Sequence, residues 1–210
     1  MNRLAIVGAS GHGKVVADIA RASGWDPIDF FDDRWPQITE NGEWPIIGDS
    51  DKLLQDLAEY DGVIVAIGNC DTRWEKQELF RSAGGCLISL VHPMSCISPS
   101  ASIGDGGVVM AGAVINADAS IGDGCIVNTG AIVEHDCRIG DAVHIAPGAI
   151  LSGGVSVAAG GWIGVGAVVR QGVSIGEGVT VGAGAVVLKS VANGLTVVGC
   201  PAAPHTPRTH

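Results

Sequence analysis

Three observations predict an α/β Rossmann-like unit followed by an all-β parallel β-helix built from hexapeptide repeats. From Ile97 onward every sixth residue is aliphatic: Ile103, Val109, Ile115, Ile121, Val127, Val133, Ile139, Ile145, Leu151, Val157, Ile163, Val169, Ile175, Val181 and Val187, with no insertion. Three places after most of these stands a glycine, from Gly106 and Gly112 to Gly178 and Gly184. Before residue 92, by contrast, short apolar runs alternate with segments of helical period.

A period of six fits neither an amphipathic helix nor an alternating strand. It fits a solenoid of short strands joined by tight turns, in which each aliphatic side chain points inward and stacks on its counterparts in neighbouring coils. Glycine supplies turn positions that need positive φ. Small residues such as Ala113, Ala131, Ala149, Ala167 and Ala185 follow the glycines. Three hexads make one triangular coil, giving roughly five coils.

In the first part, Arg3–Gly8 reads as a strand and Gly13–Ser23 as a helix. Ile28–Phe31 reads as a second strand ending in Asp32-Asp33, and Asp51–Tyr60 as a helix. Gly62–Gly68 is a strand, Thr72–Ala83 a helix and Cys86–Val91 a last strand. Such alternation implies a parallel sheet. The expected division is 1–92, 93–203 and a disordered polar tail over 204–210.

Composition narrows the partners. A formal net charge of −10 opposes broad contact with nucleic-acid phosphates. No apolar run is long enough to span a bilayer, and the N-terminus lacks a signal-peptide layout, so a cytoplasmic enzyme is expected. Six cysteines without a CxxC pair read as small buried thiols of a reducing compartment.

Gly8-Ala9-Ser10-Gly11-His12-Gly13-Lys14 follows the first strand and opens a helix. The string begins like a P-loop, but Val15 stands where the Mg²⁺-binding Ser/Thr belongs, and the glycine spacing is not that of a dinucleotide fingerprint. An NTPase and a dehydrogenase are disfavoured. Free amides at a helix N-terminus still attract phosphate. Asp32 and Asp33 end a strand where a carboxylate reaches a ribose or sugar hydroxyl, and Gly68 and Asn69 face the same crevice. A tight turn without a ligand is the bland alternative.

The hexad Ile132-Val133-Glu134-His135-Asp136-Cys137 places an ionisable cluster where small turn residues are usual, and His144 follows nine residues on, about half a coil. Surface decoration and a metal site from His135, Asp136 and His144 are alternatives; no metal is expected. General-base catalysis is the functional reading, because a histidine oriented by a carboxylate takes a proton near neutral pH. Glu134 and Asp136 are both candidates for that carboxylate. Cys137 shares its period position with Cys125 and Ala131 and reads as packing.

GASGHGK after the first strand, the Asp-Asp strand end, VAIGN at 65–69, and Asn128-Thr129 followed by Glu134-His135-Asp136-Cys137 together resemble the sugar acetyltransferases of the PglD/NeuD family. The likeness runs from Leu4 to about Pro201, including Val198-Gly199-Cys200-Pro201-Ala202. It implies a left-handed β-helix and a homotrimer with sites between adjacent solenoids. It also implies acetyl-CoA as co-substrate and a nucleotide-linked amino sugar, a 4-amino-4,6-dideoxy sugar, as acceptor. By the resemblance, Ser10, Gly11, His12, Asp32, Asp33 and Gly68 hold the nucleotide. Asn128 lies near the sugar, His135 is the base with Asp136 as acidic partner, and His144, Val165 and Ala183 contact acetyl-CoA. O-acetylation of a sialic-acid-like sugar and a non-catalytic trimeric scaffold are the competing readings. The His–carboxylate hexad separates the first two from the scaffold, and the nucleotide pocket favours N-acetylation.

Overall fold

The computed structural model describes residues 2–205. Strand β1 (Leu4–Val7) is buried along its whole length, as its unbroken apolar run requires for a strand covered on both faces. It pairs in parallel with β2 (Ile28–Phe31) on one side and β5 (Gly62–Val65) on the other. Helix α1 (Gly11–Ala22) covers the sheet with Val16, Ala17, Ile19 and Ala20. The short α2 (Ser50–Asp56) starts at Asp49, whose carboxylate accepts from the Lys52 amide at 2.9 Å. In α3 (Cys70–Ser82) Asn69 plays the same capping part, accepting from the Thr72 amide at 2.9 Å.

Two elements depart from the sequence reading. A hairpin, β3 (Glu40–Asn41) and β4 (Trp44–Gly48), extends the sheet to the order β3-β4-β2-β1-β5. Its two-residue loop is Gly42-Glu43, with Gly42 at φ 72° in the first loop position. The expected strand Cys86–Val91 is not one strand. Leu87 makes a single bridge to Val63, and Leu90–Val91 already pairs with Val108–Val109 as the first rung of the solenoid.

Each solenoid coil closes after 18 residues, so that Val114, Ile132, Ile150, Val168 and Val186 stack in register. The hexad aliphatics fill the interior, buried from Val109 to Val187, with Ala113, Ala131, Ala149, Ala167 and Ala185 fully enclosed beside them. At the turn slot eleven glycines hold φ between 61° and 70°, whereas Asp118, Asp136 and Ala142 hold φ 58°, 61° and 55° without being glycine.

The outward residues give each of the three faces a character. One face carries Val114, Ile132, Ile150, Val168 and Val186, all half-buried, and is the aliphatic face. A second carries Ser102, Ser120, Arg138, Ser156 and Ser174, the serine face. The third carries Val108, Ile126, His144, Trp162 and Thr180. Its first rungs lie under the α/β unit, where Leu90, Val108, Met110 and Ile126 share a core with Leu4, Ile6, Val16 and Ile64. We call it the covered face.

The last coil is two residues shorter, pairing Thr180 with Thr196. Ala203–Pro204 then returns antiparallel to Val197–Val198, and His205 donates its amide to the Thr196 carbonyl at 2.7 Å. Pro204 and His205 therefore do not belong to a disordered tail; the rest of that expected tail lies outside the described residues. No helix among the described residues is long and apolar enough to cross a membrane.

Helix α3 docks along the edge between the serine and covered faces. Residues three or four apart on a helix advance about 4.5–6 Å along its axis, close to the roughly 4.8 Å between strands, so one helical stripe can meet successive coils. Gln77 donates to the Gly106 carbonyl at 2.8 Å, and Arg73 to those of Gly124 at 2.7 Å and Ala142 at 2.6 Å. Arg81 pairs with Asp123 at 2.8 Å.

The start of α1 supplies a paired test. A Cβ at Gly13 would stand 2.3 Å from the Gly8 carbonyl and 3.0 Å from the Phe30 ring, whereas at Gly11 it would meet nothing within 4 Å. Helix propensity alone favours alanine at both by up to about 1 kcal/mol. We expect Gly13→Ala to destabilise by about 1–3 kcal/mol and Gly11→Ala to be neutral or stabilising. Urea midpoints check this; equal midpoints for the two variants would contradict the packing described.

Candidate active site

The C-terminal ends of β1 and β5 open onto a cavity of about 330 Å³ lined by Gly8, Ser10, Asp32, Asp33, Arg34, Gly68, Thr72 and Lys76 among others. Four of the sequence-predicted residues thus meet there. Gly8, at φ 108°, is required by the turn, since a Cβ would stand 2.8 Å from the Ala66 carbonyl. With Gly13 also packed tightly, two of the three loop glycines answer to packing; Gly11 and Gly68 face open space. Ser10 precedes α1 and makes no side-chain capping bond.

The two carboxylates are already engaged. Asp32 accepts from the Ala9 amide at 2.7 Å and from the Arg34 side chain at 2.8 and 2.9 Å. Those Arg34 bonds, with the Ala9 amide, hold its carboxyl at about 2 against the opposing effect of burial. Asp33 lies below the usual carboxylate range despite its burial, because Lys76 and Ser50 hydrogen-bond to it. Arg34, Thr72 and Lys76 were not singled out by the sequence reading. Lys76 lies on a helix face that reads as ordinary solvated surface, and no spacing marks Arg34.

A second group lies where the α/β unit meets the covered face. His144 Nδ1 is 3.3 Å from the Gly68 carbonyl and its Nε2 is 3.0 Å from Asn128 Nδ2. The carbonyl can only accept, so Nδ1 carries the proton and Nε2 accepts from the amide. Burial and the nearby Arg73 guanidinium push the His144 ring down to about 4. His12 is pushed down to about 4 by burial, then by His144 and Arg73. Its Nε2 is buried without a hydrogen-bond partner among the described residues. His12 therefore turns inward from the loop toward His144. Beyond them, a cavity of about 480 Å³ runs past Gly68, Cys70, His144, Trp162 and Thr180.

The third group stands apart, on the edge between the aliphatic and serine faces. His135 Nδ1 is 2.8 Å from Asp136 Oδ2, and both side chains are more than 60 % exposed. Glu134 turns away and accepts from Asn116 Nδ2 at 3.0 Å, so Asp136 is the carboxylate that orients the ring. Its hydrogen bond raises the His135 pKa above 6.5 against the opposing effect of desolvation. Asp136 occupies the left-handed slot that other hexads give to glycine, and Asp is among the few residues that tolerate it. A Cβ at Gly153, one coil further on, would stand 2.5 Å from His135 Nε2, so glycine there leaves room for the ring.

Val165 and Ala183 are exposed one coil apart on the remaining edge, between the covered and aliphatic faces, which Asn128 also occupies. Within one chain these positions and His135 therefore lie on opposite edges of the aliphatic face. Cys137 is fully buried, with burial raising its thiol, and burial pushes Cys125 up to about 12. Neither thiol is placed as a nucleophile. Among the described residues no three His, Cys, Asp or Glu side chains converge as a metal site would require.

Residues 3–80 match the family model of the PglD N-terminal domain, and residues 118–153 that of the bacterial transferase hexapeptide, six repeats. UDP-N-acetylbacillosamine N-acetyltransferase of Bacillus subtilis is 39% identical over 117 residues, 53% of this chain and 52% of that protein. The match thus spans about half the length of that curated relative. The acetyltransferase domain of PglB from Neisseria gonorrhoeae superposes with a TM-score of 0.92 at 44% identity, covering 98% of this chain and 100% of that one. It has also been solved in complex with acetyl coenzyme A. PerB from Caulobacter crescentus, in complex with CoA and GDP-perosamine, superposes with a TM-score of 0.92 at 39% identity, covering 98% of each chain.

The three imidazoles should separate in a histidine-ring NMR titration assigned with His→Gln variants. His135 should titrate above 6.5, and His144 and His12 only near 4. A His144 midpoint near 6.5 would contradict the neutral, doubly bonded ring described above.

Proposed function

The chain belongs to the PglD family of hexapeptide-repeat sugar acetyltransferases, and we propose that it moves the acetyl group of acetyl-CoA onto the amino group of a nucleotide-linked amino sugar. The acceptor we infer is a 4-amino-4,6-dideoxy sugar. The observation that carries the reading is His135: Asp136 engages Nδ1, so Nε2 keeps its lone pair beside Gly153 on an exposed edge. The relatives, a UDP-N-acetylbacillosamine N-acetyltransferase and a protein solved with CoA and GDP-perosamine, favour N-acetylation over O-acetylation.

The crevice of Ser10, Gly11 and Gly68 would take the nucleotide, with free amides of the α1 N-terminus toward its phosphates. Asp32 and Asp33 fix Arg34 and Lys76 at its rim. Asn128 would lie beside the sugar. The acceptor amine attacks the thioester carbonyl in its neutral form, and His135 Nε2 takes the proton as the C–N bond forms. Backbone amides stabilise the oxyanion. Collapse expels the CoA thiolate, which is protonated, leaving the amide.

The aliphatic face supports assembly as a homotrimer. Five coils each turn a half-buried Val or Ile outward there, an apolar stripe that a partner would cover. Three prisms that each turn one face to a three-fold axis bring the leading edge of each face against the trailing edge of the next. His135 of one subunit would then approach the edge carrying Asn128, Val165 and Ala183 of its neighbour, which also lies near His144.

Acetyl-CoA consumption across UDP-, GDP- and dTDP-linked amino sugars tests the activity. His135→Ala should lower kcat by about 10²–10⁴-fold. Activity within threefold of the parent would remove His135 from the base role. The base acts only when neutral, so kcat/KM should rise through a midpoint above 6.5 in the parent. Asp136→Asn, which still tolerates the left-handed turn, should move that limb to lower pH and reduce the plateau.

The shared site has its own test. Co-refolding His135→Ala subunits with subunits carrying Ala183→Trp should restore activity that neither variant shows alone, because some interfaces keep both edges intact. Mixed trimers of native size without recovered activity would place the whole site within one chain.

A further inference from the structure

Arg73 is 1% exposed, yet among the described residues every hydrogen bond its side chain makes goes to a backbone carbonyl. Nη1 gathers Ile67, Gly68 and Asn69, at 2.9, 3.1 and 3.3 Å, which form the turn closing the crevice. Nε and Nη2 reach Gly124 and Ala142 on successive coils. A guanidinium buried without a carboxylate is an expensive way to join two domains. Apolar side chains of similar volume often hold such a junction at least as stably as buried charge. The arrangement therefore serves something that packing alone would not.

What it serves follows from the next bonds. The Gly68 carbonyl accepts from Arg73 and from His144 Nδ1. With Nδ1 engaged, Nε2 accepts from Asn128 Nδ2, while Asn128 Oδ1 accepts from the Thr129 amide at 2.8 Å. The carboxamide is then fixed in one orientation with one amide hydrogen still free. We infer that Arg73 is a positioning residue for the acceptor sugar, setting the Gly68 carbonyl that orients His144 and, through it, Asn128. The inference rests on the acetyltransferase reading for what Asn128 meets. Burial, and with it the positive charge of Arg73, disfavours a second proton on His144, which keeps the ring neutral so that Nε2 can accept from Asn128.

The test compares Arg73→Met and Arg73→Lys with the parent, which must first acetylate a nucleotide-linked amino sugar. A parent inactive on the whole panel would overturn the acetyltransferase reading, not the relay. In both variants KM for the sugar nucleotide should rise about tenfold or more, as a misplacement of an ångström can do. KM for acetyl-CoA should rise less, because, of its expected contacts, only His144 belongs to the relay, while Val165 and Ala183 receive no bond from it. Ring ¹⁵N shifts of His144 should change from one tautomer to a mixture, a readout that needs no substrate and survives in Arg73→Lys if Arg73→Met does not fold. Adding Arg73→Lys to Asn128→Ala should raise the sugar KM little further, since the relay then ends at nothing. An unchanged His144 tautomer, equal changes in both KM values, or fully additive effects with Asn128→Ala would each reduce Arg73 to a structural staple.

Discussion

Closure of each coil in 18 residues is the constraint on which the rest of the molecule depends. Because residue i lies over residue i+18, a side chain placed on one edge of the prism stays on that edge, and chemistry can be distributed by edge. One edge, with the carbonyls of Gly106, Gly124 and Ala142, takes up α3 and so fixes the α/β unit. The next carries Asn128, Val165 and Ala183, and the third carries His135 with Asp136.

The same constraint explains what could be read from the chain. A strictly repeated hexad is a global pattern, so the inward aliphatics, the glycine slots and the irregular hexad around His135 were all legible in the sequence. That Asp136 rather than Glu134 holds the ring was not, because it depends on Asn116 arriving from the preceding coil to bind Glu134. The α/β unit was legible in its long buried strands and less so where pairing is brief. Glu40–Asn41 is two residues long, and the segment after α3 makes one bridge before joining the solenoid. Arg73 and Lys76 sit four and seven residues after the Asn69 cap, in a helix whose polar composition gave no sign that one would be buried and the other line a cavity.

Histidine chemistry in the molecule is divided by environment. His135 stands in solvent beside a carboxylate, which favours its protonated form and makes it the more basic ring. His12 in α1 and His144 on the covered face are buried where the α/β unit meets the solenoid; burial first, and then the nearby guanidinium, keeps both neutral, and His144 becomes a fixed hydrogen-bonding group. The residue type is the same, and burial and the sign of the nearest charge assign different parts to it.

The antiparallel return of Ala203–Pro204 bears on how the molecule behaves at high concentration. A solenoid ends in exposed rungs, and an unfinished rung is a template on which another solenoid could stack end to end into a filament. Here the final rung of the covered face is overlaid by a strand running against the direction of all the others. Pro204 has no amide hydrogen to offer a newcomer. At the other end Leu90–Val91 is roofed by the α/β unit through the shared core around Met110. Lateral contact through the aliphatic face is thereby left open while axial growth is blocked at both ends of the covered face, which favours a closed assembly over a fibre.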